Sequence, residues 1–119
     1  MITMRTDVPE NVLGADASGT VTAQDYETVL VPAIQAFAQT HAKIRALVVL
    51  GPDFEGFEGG AMWDDAKLGV RKLGWERLAV VTDHGHIRTL INTFTFMIPG
   101  KVKTFELAQL DDAKTWVAA

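Results

Sequence analysis

Asp83, His84 and His86 stand within four consecutive residues, and their side chains are metal ligands by type. Zinc takes four ligands in a structural site, or three and a water in a catalytic one. The remaining histidine, His41, is far away in the sequence, so this short run offers only part of a shell. It suits a turn that opens a helix, with Asp83 accepting a free amide as its cap. Asp53, Glu55, Glu58, Asp64 and Asp65 place five carboxylates in 13 residues. Asp64 and Asp65 are adjacent, hence about 100° apart on a helix, and the run lacks the alternating oxygen ligands and closing glutamate of a calcium loop. A solvated acidic segment is expected. Gly56, Gly59 and Gly60 precede a helix and could offer amides to a phosphate, but no Lys-Ser/Thr ending or G-x-G-x-x-G spacing follows. The acidic neighbours would also repel an anion. Cysteine is absent, and Ser18 is the only serine, so no activated nucleophile suggests itself. Neither enzymatic activity nor a metal or cofactor is expected.

The apolar residues are more informative. Phe54, Phe57, Met62 and Trp63 crowd a glycine-rich segment, where small neighbours cannot anchor such large side chains. They must fill the core, close a pocket or meet a partner. From Ile87 to Ile98 the apolar residues Ile87, Leu90, Ile91, Phe94, Phe96, Met97 and Ile98 exceed one core-facing stripe, since Phe94 and Phe96 are about 200° apart on a helix. Three covers would serve: the C-terminal helix with Trp116, a second subunit, or an apolar ligand. Phe54, Phe57, Met62, Trp63, Phe94, Phe96 and Met97 are therefore the candidate ligand or partner surface.

The elements that must position these residues follow from hydropathy. Ile2 to Thr6 and Val12 to Ser18 read as a hairpin across Asp7-Val8-Pro9-Glu10-Asn11, and Ser18-Gly19 reads as the end of its second strand. Thr22 and Asp25 form a shortened capping box. In the helix that follows, Tyr26, Val29, Leu30, Ala33, Ile34, Phe37 and Ala38 share one face, and Pro32 is expected to bend it. Ala46 to Leu50 and Leu78 to Val81 are continuous apolar runs, the pattern of strands covered on both faces. Between them a loop over Gly51 to Gly60 and a helix from about Ala61 to Leu73 are expected. A third helix spans Ile87 to Ile98, stopped by Pro99-Gly100. Val102 to Phe105 is a last strand, and Leu110 to Val117 a last helix with Asp111 and Asp112 near its positive end. The order β-β-α-β-α-β-α-β-α describes one α/β domain over residues 1–119. Its sheet is mainly parallel, with an antiparallel strand from the N-terminal hairpin.

Composition sets the outer bounds. The chain has 119 residues, 48% hydrophobic and 22% charged, enough to bury roughly two-thirds of its unfolded surface without disulfide or metal. Eleven basic and 15 acidic residues leave a net charge of −4, which disfavours nucleic acid as a partner. The longest run without Asp, Glu, Lys or Arg, Thr28 to Ala42, is 15 residues, too short to span a bilayer. A cysteine-free chain without a signal pattern fits the cytoplasm.

Asn11-Val12-Leu13-Gly14, Val21-Thr22-Ala23-Gln24-Asp25-Tyr26, Phe54-Glu55-Gly56-Phe57 and Ala61-Met62-Trp63-Asp64-Asp65, taken in this element order, resemble the SpoIIAA-like family of small STAS-fold proteins over nearly the whole chain. The resemblance implies a four- or five-stranded sheet with helices mostly on one side. It also implies kinship with anti-sigma-factor antagonists and a distant likeness to CRAL-TRIO lipid carriers. Those antagonists carry a phosphorylatable serine at the start of the helix after the third strand. Here residues 41–81 contain no serine, threonine or tyrosine, so that switch is absent from its usual place. The expected function is a non-enzymatic STAS-like interaction or regulatory domain, as a homodimer or with another protein. The alternative is a small carrier or sensor of an amphipathic, lipid-like molecule.

Overall fold

The computed structural model describes residues 1–57, 74–85, 87, 89 and 100–119. Five strands form one sheet in the order β1-β2-β3-β4-β5: β1 (Ile2–Arg5), β2 (Leu13–Val21), β3 (Ile44–Phe57), β4 (Trp75–Thr82) and β5 (Lys101–Phe105). β1 runs antiparallel to β2, and every later pairing is parallel. The apolar runs lie where their composition demands. Leu47 is 0% exposed in β3, as are Ala79 and Val81 in β4, because each strand has a neighbour on either side and cover above and below.

The sheet separates two sets of apolar side chains. Leu47, Val49, Ala79 and Val81 join Val12 and Phe105 on one face, where Ala113 and Val117 of the C-terminal helix α3 (Leu110–Ala118) cover them. Leu50 and Val80 point the other way, into a cluster with Ala17, Val21, Phe54 and Ile87, against which Ile2, Val48 and Leu78 also pack. The two-residue period of a strand produces this division.

After β2 the chain turns into α1 (Ala23–Asp25). The Asp25 N–H donates to Thr22 Oγ1 at 3.0 Å and the Thr22 N–H to Asp25 Oδ2 at 3.2 Å, the reciprocal cap expected from this spacing. The hydrogen-bond pattern changes just before Pro32, while the Leu30 backbone stays right-handed helical at φ −76° and ψ −50°. Tyr26–Leu30 is π-helical, and α2 (Val31–Thr40) opens with Pro32 in its first turn, where a missing backbone donor costs least. Ile34 is the buried residue of α2.

Two expectations need correction. Ser18-Gly19 does not end β2, and Gly51 does not begin a loop. Both strands continue beyond these residues and pair with each other, Gly19 opposite Phe54, Thr20 opposite Gly56 and Val21 opposite Phe57. Ala17 faces Leu50, so Ser18 alone spans the stretch that Gly51, Pro52 and Asp53 occupy on β3. Pro52 thus falls at a bulge, where its missing N–H breaks no ladder bond. Gly19 (φ +57°) and Gly56 (φ +140°) take backbone conformations that side chains disfavour. Residues that punctuate a loop here shape two bulged strands. The expected helices over 61–73 and 87–98 fall outside the described residues, except for Ile87 and Thr89.

Candidate functional site

Parallel strands bring their C-terminal ends to one edge of a sheet, and open α/β folds place ligands there. At that edge Thr82 closes β4, fully buried, and its Oγ1 accepts the His84 N–H at 3.1 Å. His84 Nε2 lies 3.2 Å from the Gly51 carbonyl oxygen. A carbonyl can only accept, so this bond requires hydrogen on Nε2. The Phe54 ring meets the His84 ring edge-on, with centroids 5.9 Å apart at 67°. The Ile87 N–H donates to the His84 carbonyl at 3.1 Å, and Ile87 then enters the cluster that holds Phe54. The turn after β4 is therefore fastened to the bulge of β3 by one polar and one aromatic contact.

Asp83 is exposed and caps a different element from the one expected. Its Oδ1 accepts the Leu107 N–H at 2.9 Å, at the first residue of the 3₁₀ helix Leu107–Gln109 that leads into α3. The preference of aspartate for a free amide holds, but the amide belongs to a segment 24 residues away. Glu106 and Gln109 complete the same start as a capping box. Among the described residues no three His, Cys, Asp or Glu side chains gather as a metal site; His86 is outside them. Of the acidic segment, Asp53 and Glu55 are exposed, with Glu55 accepting from Thr20 Oγ1 at 3.4 Å, while Glu58, Asp64 and Asp65 are outside the described residues.

Of the candidate surface residues, Phe54 is 5% exposed, a core residue lining the base of this edge rather than an open contact surface. Phe57 is placed by its backbone, opposite Val21 at the end of β3. Met62, Trp63, Phe94, Phe96 and Met97 are outside the described residues. Trp116 lies on the face opposite Ile87. Its ring is 6.0 Å from that of Phe105, and the Arg77 guanidinium sits 5.2 Å above it.

Sequence inspection missed the charged contacts that hold α3 to the sheet. Arg5 donates Nε and Nη2 to the two oxygens of Asp7, at 3.0 and 2.7 Å, and Nη1 to Asp16 at 2.7 Å. Lys114 of α3 reaches the same Asp7 at 3.0 Å. The Arg5 hydrogen bonds, then that of Lys114, hold the Asp7 carboxyl well below the usual range, and Asp7 in turn pushes the Arg5 guanidinium up. At the far end of the helix Arg45 donates to the Val117 and Ala119 carbonyls and pairs with Glu76, while Arg77 donates to the Trp116 carbonyl. Cations at helix carbonyls satisfy acceptors that have no intrahelical donor. No local signal marks these pairs, because Asp7 and Lys114 are 107 positions apart.

The SpoIIAA-like family model matches residues 12–118. Among solved structures, the chain is similar to an uncharacterised protein of the DUF3478 family with a SpoIIAA-like fold from Shewanella loihica PV-4. The two share 25% identity and a TM-score of 0.76, over 98% of this chain and 93% of that one. No curated protein matches the sequence.

Proposed function

The chain belongs to the SpoIIAA-like family, and from that premise we propose that it is a non-enzymatic, single-domain interaction module of the cytoplasm that pairs with a second copy of itself. The position of Trp116 carries this reading. The cover that would need no partner was the C-terminal helix, yet Trp116 is engaged with Phe105 and Arg77 on the face away from Ile87. If the expected helix runs on from Ile87, the surplus apolar residues from Phe94 to Ile98 would need another cover, and a subunit interface would supply one. With no hydroxyl residue in 41–81, regulation by phosphate at the usual antagonist position has no acceptor. Sedimentation of Phe96→Asp tests the reading. The parent should sediment as a dimer and the variant as a folded monomer, since an unpaired charge in an apolar interface costs several kcal/mol. Equal sedimentation of the two, or loss of fold in the variant, overturns it.

A second reading, a carrier of an amphipathic molecule, draws on the strand-end location of Phe54. That residue forms an apolar base beside His84, three positions before Phe57, which pairs with Val21. Met62 and Trp63, a few residues on, would be the walls.

A further inference from the structure

β5 ends the sheet, with no described strand beyond it. Its register sets cations in a row across three strands: Arg45 of β3 is opposite Arg77 of β4, and Arg77 is opposite Lys101 of β5, with Lys103 two positions further on. Like charges directly opposite one another weaken a sheet, so each needs compensation. Arg45 has Glu76, and Arg77 has the carbonyl and ring of Trp116. Lys103 lies 5.2 Å from the centre of the Phe105 ring, which continues the stack Arg77, Trp116, Phe105, Lys103. Lys101 and Lys103 are both exposed, and neither has a carboxylate partner among the described residues. A chain with net charge −4 thus places, on a strand with no described neighbour on its outer side, two lysines without a described carboxylate partner on one face, their backbone positions about 6.6 Å apart by strand rise.

We propose that this edge receives an extended acidic segment of another protein, added to the sheet beside β5, with carboxylates at alternate positions opposite Lys101 and Lys103. Strand addition supplies main-chain hydrogen bonds, while the alternating side chains supply selection. Edge lysines also keep copies of one chain from pairing edge to edge. The same two charges that repel a second β5 attract a strand bearing glutamate or aspartate at i and i+2. The inference gives a partner chemistry to the interaction-domain reading but uses a different surface from Phe94 to Ile98, so sedimentation of the unliganded chain tests that reading separately.

The test is a titration of the isotope-labelled full chain with a capped hexapeptide of alternating glutamate and valine, read by amide chemical shifts. Shifts concentrated in residues 101–105 and at the Trp116 indole support the proposal. So does affinity lowered about tenfold by Lys101→Gln with Lys103→Gln, in a protein whose remaining spectrum shows the parent fold. The same peptide with glutamine in place of glutamate should leave the edge unshifted. Equal binding of the neutral peptide, unchanged affinity in the double variant, shifts confined to another surface, or binding to phosphatidylglycerol vesicles in place of the peptide would each overturn it.

Discussion

The carboxylate of Asp83, just past the end of β4, accepts the backbone N–H of Leu107 at 2.9 Å. One side chain thereby ties the turn after β4 to the start of the segment that becomes α3. The turn also carries His84, whose Nε2 rests on the Gly51 carbonyl, so the seat of the C-terminal helix and the bulge of β3 are joined through two adjacent residues. Asp83→Ala should cost about 1 kcal/mol, as the loss of a helix cap does. Hydrogen exchange should speed up at Leu107 and through the first turn of α3. Unchanged protection at Leu107 would count against the cap.

Phe54 distinguishes a core role from a surface one. At 5% exposure, Phe54→Ala should lower stability by about 3–5 kcal/mol, read from the midpoint of urea denaturation. A loss below about 1 kcal/mol would mean that the ring is not packed as described. His84, its edge-on neighbour, should show a changed ring-proton shift in the variant, because the aromatic current of Phe54 would be gone.

Acid sensitivity should involve Asp7. Its folded pKa is depressed, chiefly by Arg5 and then by Lys114, so its contribution is complete above its unfolded pKa of about 3.9 and is lost as pH falls toward the lower folded value. Asp25 acts in the same direction, its pKa lowered first by the Thr22 N–H. Stability against urea, measured from pH 6 down to pH 2, should therefore fall below about pH 4. Asp7→Asn should flatten that limb. Because Asp7 is largely exposed, added salt should shrink the difference between variant and parent.

Trp63 separates the two functional readings. If it walls a pocket, a fatty acid should shift its fluorescence, and Trp63→Ala should abolish binding while the protein stays folded. The interaction-domain reading expects no amphiphile response from the parent. A fatty acid retained through purification and seen by native mass spectrometry would favour the carrier instead.

What the amino-acid order determined by itself is the set of effects that act within a few residues or one period. The double-sided runs of β3 and β4 and the reciprocal cap of Thr22 and Asp25 are legible, because hydropathy and capping are local properties. The element order and the resemblance it carries are legible for the same reason. Tertiary structure decided whatever depends on a distant partner. Gly51-Pro52-Asp53 reads as a loop until β2 lies alongside and turns it into a bulge. Asp83 reads as the cap of the next helix until Leu107 arrives with a free amide. Arg77 is only one more cation until the register sets it between Arg45 and Lys101 and the C-terminal helix brings Trp116 beneath it. Spacing along the chain specifies which groups need partners. Only the closing of the sheet brings residues 24, 39 or 107 positions apart within the roughly 3 Å at which a hydrogen bond forms.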